Sequence, residues 1–346
     1  FARELIIKSL ENGKHVITAN KDLIALHGNE LIEIARKNDR HLLFEAAVAG
    51  AIPVLRLLKD YLHVQDIQEL RGILNGTTNY ILSEMEDKNI SFDNALSQAQ
   101  QMGFAEQDPT NDIKGIDARY KLVILTYLIT GQWFDPEKIS LEGIDHLDLA
   151  DFEYAERMGK KIKLIAHLRL NNKDLQVYVL PLMIEKDDIL AKISGSTNAI
   201  TLSGKYADDI TLIGKGAGSL PTASAIVSDL KKIQNNTRPL PPPSLTRELG
   251  IESMDKIKFR HTLRFEVRDH PGIFGHYGKI FERHSINIYA LEQLPQYHKI
   301  GKQGEEIVIF TLTLQGCNEG LVQKALDEIN QAEYMRKPVV LLREII

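Results

Sequence analysis

The sequence lacks disulfide partners, long apolar runs and a strong charge of either sign. Its 346 residues include one cysteine, Cys317, so no internal disulfide bond can form, and this favours a reducing compartment such as the cytoplasm. Because no run of roughly 18 apolar residues occurs, no membrane-spanning helix is predicted. The net charge of −5 provides no basic surface for nucleic acid or for an anionic membrane. A cytoplasmic protein without a nucleic-acid or membrane partner is therefore predicted.

Several catalytic motifs are absent as well. The eleven histidines form neither an H-E-x-x-H motif nor a cysteine–histidine cluster, which argues against a zinc enzyme. Cys317 falls in a predicted surface turn, which argues against thiol catalysis. No G-x-G-x-x-G segment follows a predicted strand near the N-terminus. The phosphate-binding turn of a dinucleotide fold is thus not found in these residues.

The N-terminal region alternates between helix and strand. Helices are predicted at 2–12 and 22–37, and short buried strands at 15–18 and 41–45. This alternation predicts part of a Rossmann-like, parallel sheet covered by helices. Because the chain opens inside an amphipathic helix, we expect the first strand and the glycine-rich turn of that domain to precede Phe1.

The middle of the chain predicts a mixed α+β domain, and the C-terminal part predicts another fold. Strands are predicted at 67–75, 161–170 and 176–184, and helices at 79–86, 93–102, 116–130 and 217–233. Pro239 and 241–243 predict an extended spacer. We predict four parts: 1–47, to which the helix at 214–235 returns; 48–213; the spacer 236–253; and 254–346. The predicted fold class is α/β plus α+β.

The last 90 or so residues follow a βαββαβ order. Pro271 opens the first helix of this segment, and the adjacent Gly272 allows backbone N–H groups to approach a ligand closely. Together with the sequence DHPG, this ferredoxin-like order resembles the ACT regulatory domain, which commonly binds amino acids. The resemblance implies an amino-acid effector site at Asp269 and Gly272.

The segment 103–121 concentrates charged residues. Glu106, Asp108 and Asp112 lie in a predicted loop, and Asp117 and Lys121 follow in a predicted helix at positions i and i+4, on one face. Such a group can bind a substrate ammonium and transfer a proton with the lysine. The alternative is an ordinary solvated surface pair that contributes a few tenths of a kcal/mol.

Two motifs follow the predicted N-terminal strands. Lys21, in TANK, lies where a strand passes into a helix, so it could reach a ligand at the edge of the sheet or be an ordinary helix-start lysine. EAAVAGAIP, residues 45–53, could offer carbonyl groups and Glu45 to a monovalent ion or form a tightly packed turn.

Two further motifs precede helices of the middle region. LNGTTNYI, residues 74–81, could bind an anion at its helix start or be capped conventionally by Thr77 or Thr78. GKGAGSLPTASAIV, residues 214–227, is a glycine-rich loop that could hold a phosphate or a carboxamide, but it does not match the dinucleotide fingerprint.

These motifs, in this order and spacing, resemble the homoserine dehydrogenase family, in the subclass with a C-terminal ACT domain. The resemblance covers nearly the whole chain, and the acidic segment is its most specific part. It implies that Lys121 exchanges the proton on the substrate oxygen and that the substrate is held by Glu106, Asp112, Asp117 and Thr77. It further implies cofactor contacts at Lys21, Gly103 and Gly218, and a sodium ion at Glu45, Val48, Gly50 and Ile52.

The resemblance also implies partners. The expected reaction interconverts L-aspartate-4-semialdehyde and L-homoserine with NADP or NAD, and the expected effector is threonine. A homodimer or homotetramer is expected by analogy. Two alternatives stay open at this point: a truncated chain that serves only as a threonine-binding module, and another dehydrogenase that acts on an amino acid.

Overall fold

The structure is a computed structural model that describes residues 1–60, 65–171, 174–206, 208–235, 248–300 and 305–346. The predicted proline-rich spacer, with Pro239 and 241–243, lies largely outside the described residues. The chain forms two compact units. The first comprises Phe1–Asp145, Lys163–Leu180 and Asp187–Ile251, and the second His146–Ile162, Pro181–Lys186 and Glu252–Ile346.

Helices and strands are interspersed along the chain. The α-helices of the described residues are α1 (Ala2–Glu11), α2 (Lys21–Lys37), α3 (Val54–Asp60), α4 (Gly76–Lys88), α5 (Phe92–Gln101), α6 (Thr110–Ile113), α7 (Ile116–Thr130), α8 (Leu149–Arg157), α9 (Ser219–Gln234), α10 (Ile273–Arg283) and α11 (Glu319–Ile329). The strands are β1 (Val16–Ile17), β2 (Leu42–Leu43), β3 (Ile67–Ile73), β4 (Ser140–Leu141), β5 (Lys160–Leu170), β6 (Asp174–Glu185), β7 (Thr197–Gly204), β8 (Asp208–Lys215), β9 (Gly250–Ile251), β10 (Lys258–Arg268), β11 (Ile288–Ile300), β12 (Glu306–Leu314), β13 (Cys317–Asn318) and β14 (Val340–Ile345). Within the described residues, no helix is both long and apolar enough to cross a bilayer.

The N-terminal part of the first unit has the predicted α/β character. β1 and β2 pair in parallel, with Val16 opposite Leu42. The Asn20 side chain accepts a hydrogen bond from Leu23 N at the start of α2, which is the usual role of an N-cap asparagine. The mixed α/β fold with a parallel strand pair is thereby confirmed, although both strands are shorter than predicted because only two residue pairs align.

The first unit also contains a second sheet, in which the pairs β3–β5, β3–β7 and β7–β8 are antiparallel. Its strand order is β6-β5-β3-β7-β8, and β4 and β9 pair in parallel with β6. Leu70 of β3 lies opposite both Leu168 of β5 and Leu202 of β7, and all three side chains are fully buried. Because alternate residues of a strand share a face, this aligned row fixes the register of the three strands toward one core.

Helix α7 lies inside the first unit and is buried along most of its length. A helix that is apolar on all sides is a core helix, and the run from Leu122 to Leu128 has this character. Gly115, at φ +80°, precedes the helix, and a side chain there would crowd Leu141 Cδ1 at 2.8 Å. The chain can therefore turn sharply into α7 only at a glycine, and the first two turns of the helix carry Asp117 and Lys121.

The second unit contains the predicted βαββαβ order: β10, α10, β11, β12, α11 and β14, with β13 as a short addition. The strands lie in the order β11-β12-β10-β14, and the pairs β10–β12, β10–β14 and β11–β12 are antiparallel. This order is that of the ferredoxin-like motif. Side chains of α10 and α11 join one face of the sheet in a core that includes Phe265, Tyr277, Phe310 and Val322.

Three further local predictions were wrong in detail. α4 begins at Gly76 rather than at residue 79, because Asn75 caps it. The predicted loop before Gly115 contains the short helix α6, and the first N–H group of this helix, at Thr110, donates a hydrogen bond to Asp108 Oδ1. Cys317 lies in strand β13, paired with Phe259, rather than in a surface turn. The four-part division into domains stays a prediction.

Candidate active site

Lys121 and Asp117 face each other across one turn of α7. Lys121 Nζ donates a hydrogen bond to Asp117 Oδ2 at 2.7 Å. Asp117 is 7% exposed and Lys121 8%. The pair is therefore buried, and the alternative of a solvated surface pair is wrong for these two residues. A buried ion pair needs further hydrogen bonds to compensate for lost hydration, and the surroundings supply them.

The second partner of the lysine is a backbone carbonyl. Lys121 Nζ donates to Leu74 O at 2.8 Å, directly after strand β3. The same carbonyl accepts a hydrogen bond from Asn198 Nδ2 at 3.0 Å, and Asn198 is fully buried in β7. The end of the strand and the first turn of α7 thus hold the ammonium from two sides.

Asn75 connects the acidic residues to one another. Its Nδ2 donates to Asp112 Oδ1 at 2.7 Å and to Asp117 Oδ2 at 2.8 Å. Its Oδ1 accepts from Thr78 N at 2.8 Å and so caps α4. The cap is therefore Asn75 and not Thr77 or Thr78. Thr78 is buried, and its hydroxyl donates back to Asn75 O.

Lys21 approaches the same carboxylate from the start of α2. Its Nζ lies 3.2 Å from Asp117 Oδ1 and 3.6 Å from Asp22 Oδ1. Burial lowers the pKa of Lys21, but the charges of Asp117 and Asp22 together outweigh that effect and leave the pKa above its ordinary value. Lys21 is therefore part of the site and more than an ordinary helix-start lysine.

The two aspartates differ in their electrostatics. Burial raises the pKa of Asp117, but the ammonium groups of Lys121 and Lys21 outweigh burial, so the pKa lies below its ordinary value. Asp112 is half-buried, and burial raises its pKa. The Thr77 hydroxyl, which donates to Phe104 O at 2.7 Å, also lies against Asp112. The negative charge of Asp117 is thus balanced by the two lysines, whereas the negative charge of Asp112 is balanced less well.

Other predicted residues are not drawn into this group. Glu106 and Gly103 are exposed, and Gln100 Nε2 donates to Glu106 O at 3.1 Å. Asp108 is exposed and is used locally at the start of α6. The roles predicted for Glu106 in binding substrate and for Gly103 in binding cofactor stay predictions, since both residues lie at the surface.

The glycine-rich loop leads into a helix whose first turn is open. α9 begins after Gly218, at φ +120°, without a side-chain cap, so the N–H groups of its first two residues are available to an anion, whereas the third residue, Pro221, has none. A Cβ on Gly216 would overlap the side-chain amide of Asn198, and one on Gly50 would lie 2.6 Å from Gly216 O. The close backbone packing around an open helix start fits a phosphate or carboxamide of a nicotinamide dinucleotide.

The predicted sodium ligands form a compact buried turn. Glu45 Oε1 accepts from Leu55 N and Arg56 N, at 3.1 and 3.2 Å, and so caps α3. Ile52 O accepts from Val54 N at 2.8 Å. Burial raises the pKa of Glu45. These contacts are those of a packed turn, and the role predicted for these residues in binding a sodium ion stays a prediction.

The predicted effector residues lie in the second unit. Asp269 and Gly272 are exposed, and Gly272, at φ +88°, precedes α10 without a side-chain cap. Asp269 N donates to Glu306 O at 2.8 Å, which fixes the backbone there. Their role in binding an effector stays a prediction.

Sequence reasoning missed two residues of the site. Asn75 and Asn198 make the hydrogen bonds that connect Asp112, Asp117 and the Leu74 carbonyl. The one available signal for Asn75 was its position between a strand and a helix, which is typical of an N-cap. Asn198 carried no local signal, because its partner lies 124 residues away in the sequence.

A lysine held in this way can give a proton to a carbonyl oxygen while a cofactor delivers a hydride. The open helix start of α9, in a unit with α/β character, suits the dinucleotide that such a reaction needs. Fold and site together define a nicotinamide-dependent dehydrogenase.

Comparison with known proteins agrees and is more specific. Residues 53–230 match the family model described as homoserine dehydrogenase, and residues 1–45 match the one described as homoserine dehydrogenase, NAD binding domain. The homoserine dehydrogenase of Neisseria gonorrhoeae is 36% identical over 351 aligned residues, covering 99% of this chain and 79% of the relative. The chain belongs to the homoserine dehydrogenase family.

Solved structures support the same assignment. A homoserine dehydrogenase from Thiobacillus denitrificans is similar with a TM-score of 0.89 and 36% identity, over 99% of this chain and 79% of the other. A hyperthermophilic archaeal homoserine dehydrogenase in complex with NADPH is similar with a TM-score of 0.61 and 28% identity, over 69% and 70% of the two chains. The cofactor is therefore a nicotinamide dinucleotide, and the substrate is a small molecule.

Proposed function

We propose that this chain interconverts L-aspartate-4-semialdehyde and L-homoserine, with Lys121 as the group that exchanges the proton on the substrate oxygen. An ammonium has three N–H donors. Lys121 directs two of them to Asp117 Oδ2 and Leu74 O. The third is left for the oxygen on which negative charge grows during reduction. In the reverse direction the neutral amine accepts the hydroxyl proton.

The acidic residues divide the remaining work. Asp117 has one oxygen beside Lys21 and the other on Lys121 and Asn75, so its role is to hold the lysines. Asp112, which is half-buried and less compensated, is the better carboxylate for the substrate ammonium. We propose that Glu106 and Thr77 complete the substrate site, with Glu106 at its exposed side.

Residues of the first unit would hold the cofactor. The N–H groups that follow Gly218 and the ammonium of Lys21 are hydrogen-bond donors of the kind that bind a nicotinamide dinucleotide. Gly103 is a proposed backbone contact. When bound, the nicotinamide ring supplies a hydride to the C4 carbon of the substrate or accepts one from it. The chain's own contribution is to orient that carbon and to move the proton.

The observation that carries this proposal is the buried Lys121 between a carboxylate and a backbone carbonyl. The test compares L-homoserine with 4-hydroxybutyrate, which has the same reacting hydroxyl and a carboxylate but no ammonium group. A site that hydrogen-bonds a substrate group rejects an analogue without it by roughly 10⁴-fold in kcat/KM. Comparable kcat/KM values for the two compounds would contradict the proposed substrate.

We also propose the finer partners that the resemblance implies. The resemblance implies NADP or NAD; we propose NADP, with support from the NADPH complex of the archaeal relative, and steady-state rates with each cofactor test this. Threonine is the proposed effector at Asp269 and Gly272, and titration calorimetry of wild type against Asp269→Ala tests it. Three predictions remain. A sodium ion near Glu45 is tested by comparing homoserine affinity in sodium and potassium salts. A homodimer or homotetramer is tested by sedimentation, and a cytoplasmic location by fractionation.

A further inference from the structure

The Asn75 side chain makes three hydrogen bonds at the centre of the site. A side-chain amide has two N–H donors and a carbonyl oxygen that accepts. Both donors are directed at carboxylates, at 2.7 Å to Asp112 and at 2.8 Å to Asp117, and the acceptor is taken by Thr78 N. Asn75 is 5% exposed, so water does not replace these contacts. The residue therefore does two separable things: it caps a helix and it bridges two acids.

The bridge counters a repulsion that the site would otherwise have. Asp112 and Asp117 lie on neighbouring helices, α6 and α7, and the charge of Asp117 raises the pKa of Asp112 in addition to the larger effect of burial. Like charges in a partly buried site disfavour ionisation of both groups. An amide that donates to both carboxylates at once stabilises their ionised forms and sets the distance between them.

The same bridge defines the position of the lysine. Asp117 Oδ2 accepts from Asn75 and from Lys121, so the direction of that oxygen is set by two donors from different elements. The main chain of the same strand end, at Leu74 O, holds Lys121 from the other side. Residues 74 and 75 therefore place both the carboxylates and the proton donor.

We propose that Asn75 is a positioning residue of the dehydrogenase, whose side-chain amide bridges Asp112 and Asp117 so that one can bind the substrate ammonium while the other orients Lys121. This inference rests on the proposed roles of those three residues. It assigns to Asn75 a function in substrate binding and proton transfer beyond its capping of α4.

Substitutions can separate the two functions. Serine is a good N-cap, but its hydroxyl is too short to bridge two carboxylates, so Asn75→Ser keeps the cap and removes the bridge. Asn75→Asp also keeps the cap and adds a third carboxylate. Asn75→Ala removes both. Ser91→Ala is the matched control, because Ser91 accepts from Asn94 N as the cap of α5 and lies outside the site.

The primary measurement is L-homoserine affinity of the whole protein by calorimetry, from about pH 5 to about pH 9. Removing two hydrogen bonds to charged groups predicts at least a tenfold loss of affinity in Asn75→Ser. The charged groups around the two acids are Lys121, Lys21 and the acids themselves. Because the Asn75 amide favours ionised acids, Asn75→Ser should shift the acid side of the pH profile to higher pH, and Asn75→Asp should shift it further.

Turnover provides a second measurement with the same variants. We expect kcat of Asn75→Ser to fall at least tenfold while the variant stays folded, and Ser91→Ala should keep full kcat. Unchanged affinity and pH profile in Asn75→Ser, within about twofold, would show that Asn75 is only a helix cap. Unfolding of both Asn75→Ser and Asn75→Asp would likewise show a structural role and overturn the inference.

These outcomes are distinct from failure of the proposed function. If Lys121→Ala keeps wild-type turnover, or wild type does not bind homoserine, the proposed function and this inference both fail. If Lys121→Ala is inactive but Asn75→Ser behaves as wild type, only the role of Asn75 is wrong.

Discussion

Lys121 Nζ lies 2.7 Å from Asp117 Oδ2, and the two residues are one turn apart in a helix that is buried on nearly every side. The helix fixes both Cα positions, and Leu74 O fixes the remaining direction of the ammonium. A proton donor held this rigidly does not have to be reoriented during each reaction cycle, which is the main advantage of a preorganised site.

Lys121→Ala should reduce kcat by about 10² to 10⁴-fold, the usual contribution of a positioned acid or base, and change homoserine affinity much less. Lys114→Ala is the matched control, because Lys114 lies seven residues earlier, is half-exposed and pairs with Asp145. Steady-state kinetics on both variants, with circular dichroism as a check on folding, measure the difference. A Lys121→Ala enzyme within a few fold of wild type would refute the assignment.

Asp117→Asn should destabilise the protein by about 3 kcal/mol near neutral pH, because it leaves Lys121 buried without a counter-charge. The pKa of Asp117 is lowered in the folded state, so its contribution is present above the unfolded pKa of about 3.9 and is lost as the pH falls through the folded value. Urea unfolding of both proteins should therefore show a constant stability difference between about pH 7 and pH 5 and a narrowing one below about pH 4. A difference that widens in acid would contradict the ion pair.

Glu319 of the second unit should behave similarly. Burial raises its pKa, but hydrogen bonds from His261 Nε2 and Arg343 outweigh burial and bring the pKa to about 2. Glu319→Gln should lower the free energy of unfolding by about 3 kcal/mol at neutral pH. This difference in stability from wild type should shrink as the pH falls from about 4.3 toward 2. The exposed Glu282→Gln is the control in urea unfolding and should stay near wild type at every pH.

Substitution by alanine should have opposite effects on stability at two glycines that lie in helices. A Cβ on Gly28, in α2, would overlap the ring of Trp133, which stacks on Tyr127 with ring centroids 4.4 Å apart. Gly28→Ala should therefore destabilise by about 1 to 3 kcal/mol through overpacking. Gly275→Ala, in α10, meets no atom within 4 Å and should stabilise by about 0.5 to 1 kcal/mol. Thermal unfolding of the two variants should show melting temperatures that move in opposite directions.

Helix α7 shows how much the sequence could predict. Its bounds, residues 116 to 130, match those predicted, because a long apolar run between two glycines has one plausible local structure. The i,i+4 spacing of Asp117 and Lys121 followed directly. Burial of the pair could not be predicted, because a surface pair has the same spacing. Contacts with residues distant in the sequence distinguish the two cases, among them the hydrogen bond from Lys121 to Leu74 O, 47 residues away.

The acidic segment shows the complementary limit. Four carboxylates within a dozen residues suggested one cluster, yet the structure joins only Asp112 and Asp117. Asp108 is used at the start of α6, and Glu106 stays at the surface. The direction of each side chain depends on a four-residue helix whose tendency to form is weak in isolation, so composition alone could not separate the acids that converge from those that do not.

The acceptor that aligns Lys121 from the side of β3 is a main-chain atom. A mutation of one codon can delete a carboxylate, an amide or a hydroxyl, but it cannot delete the carbonyl of residue 74. Another apolar side chain of similar volume can therefore replace the buried leucine at position 74 without changing the alignment of Lys121. For protein engineering, position 74 offers a place beside the reaction centre where the shape of the core can be varied while the proton-transfer geometry is inherited from the backbone.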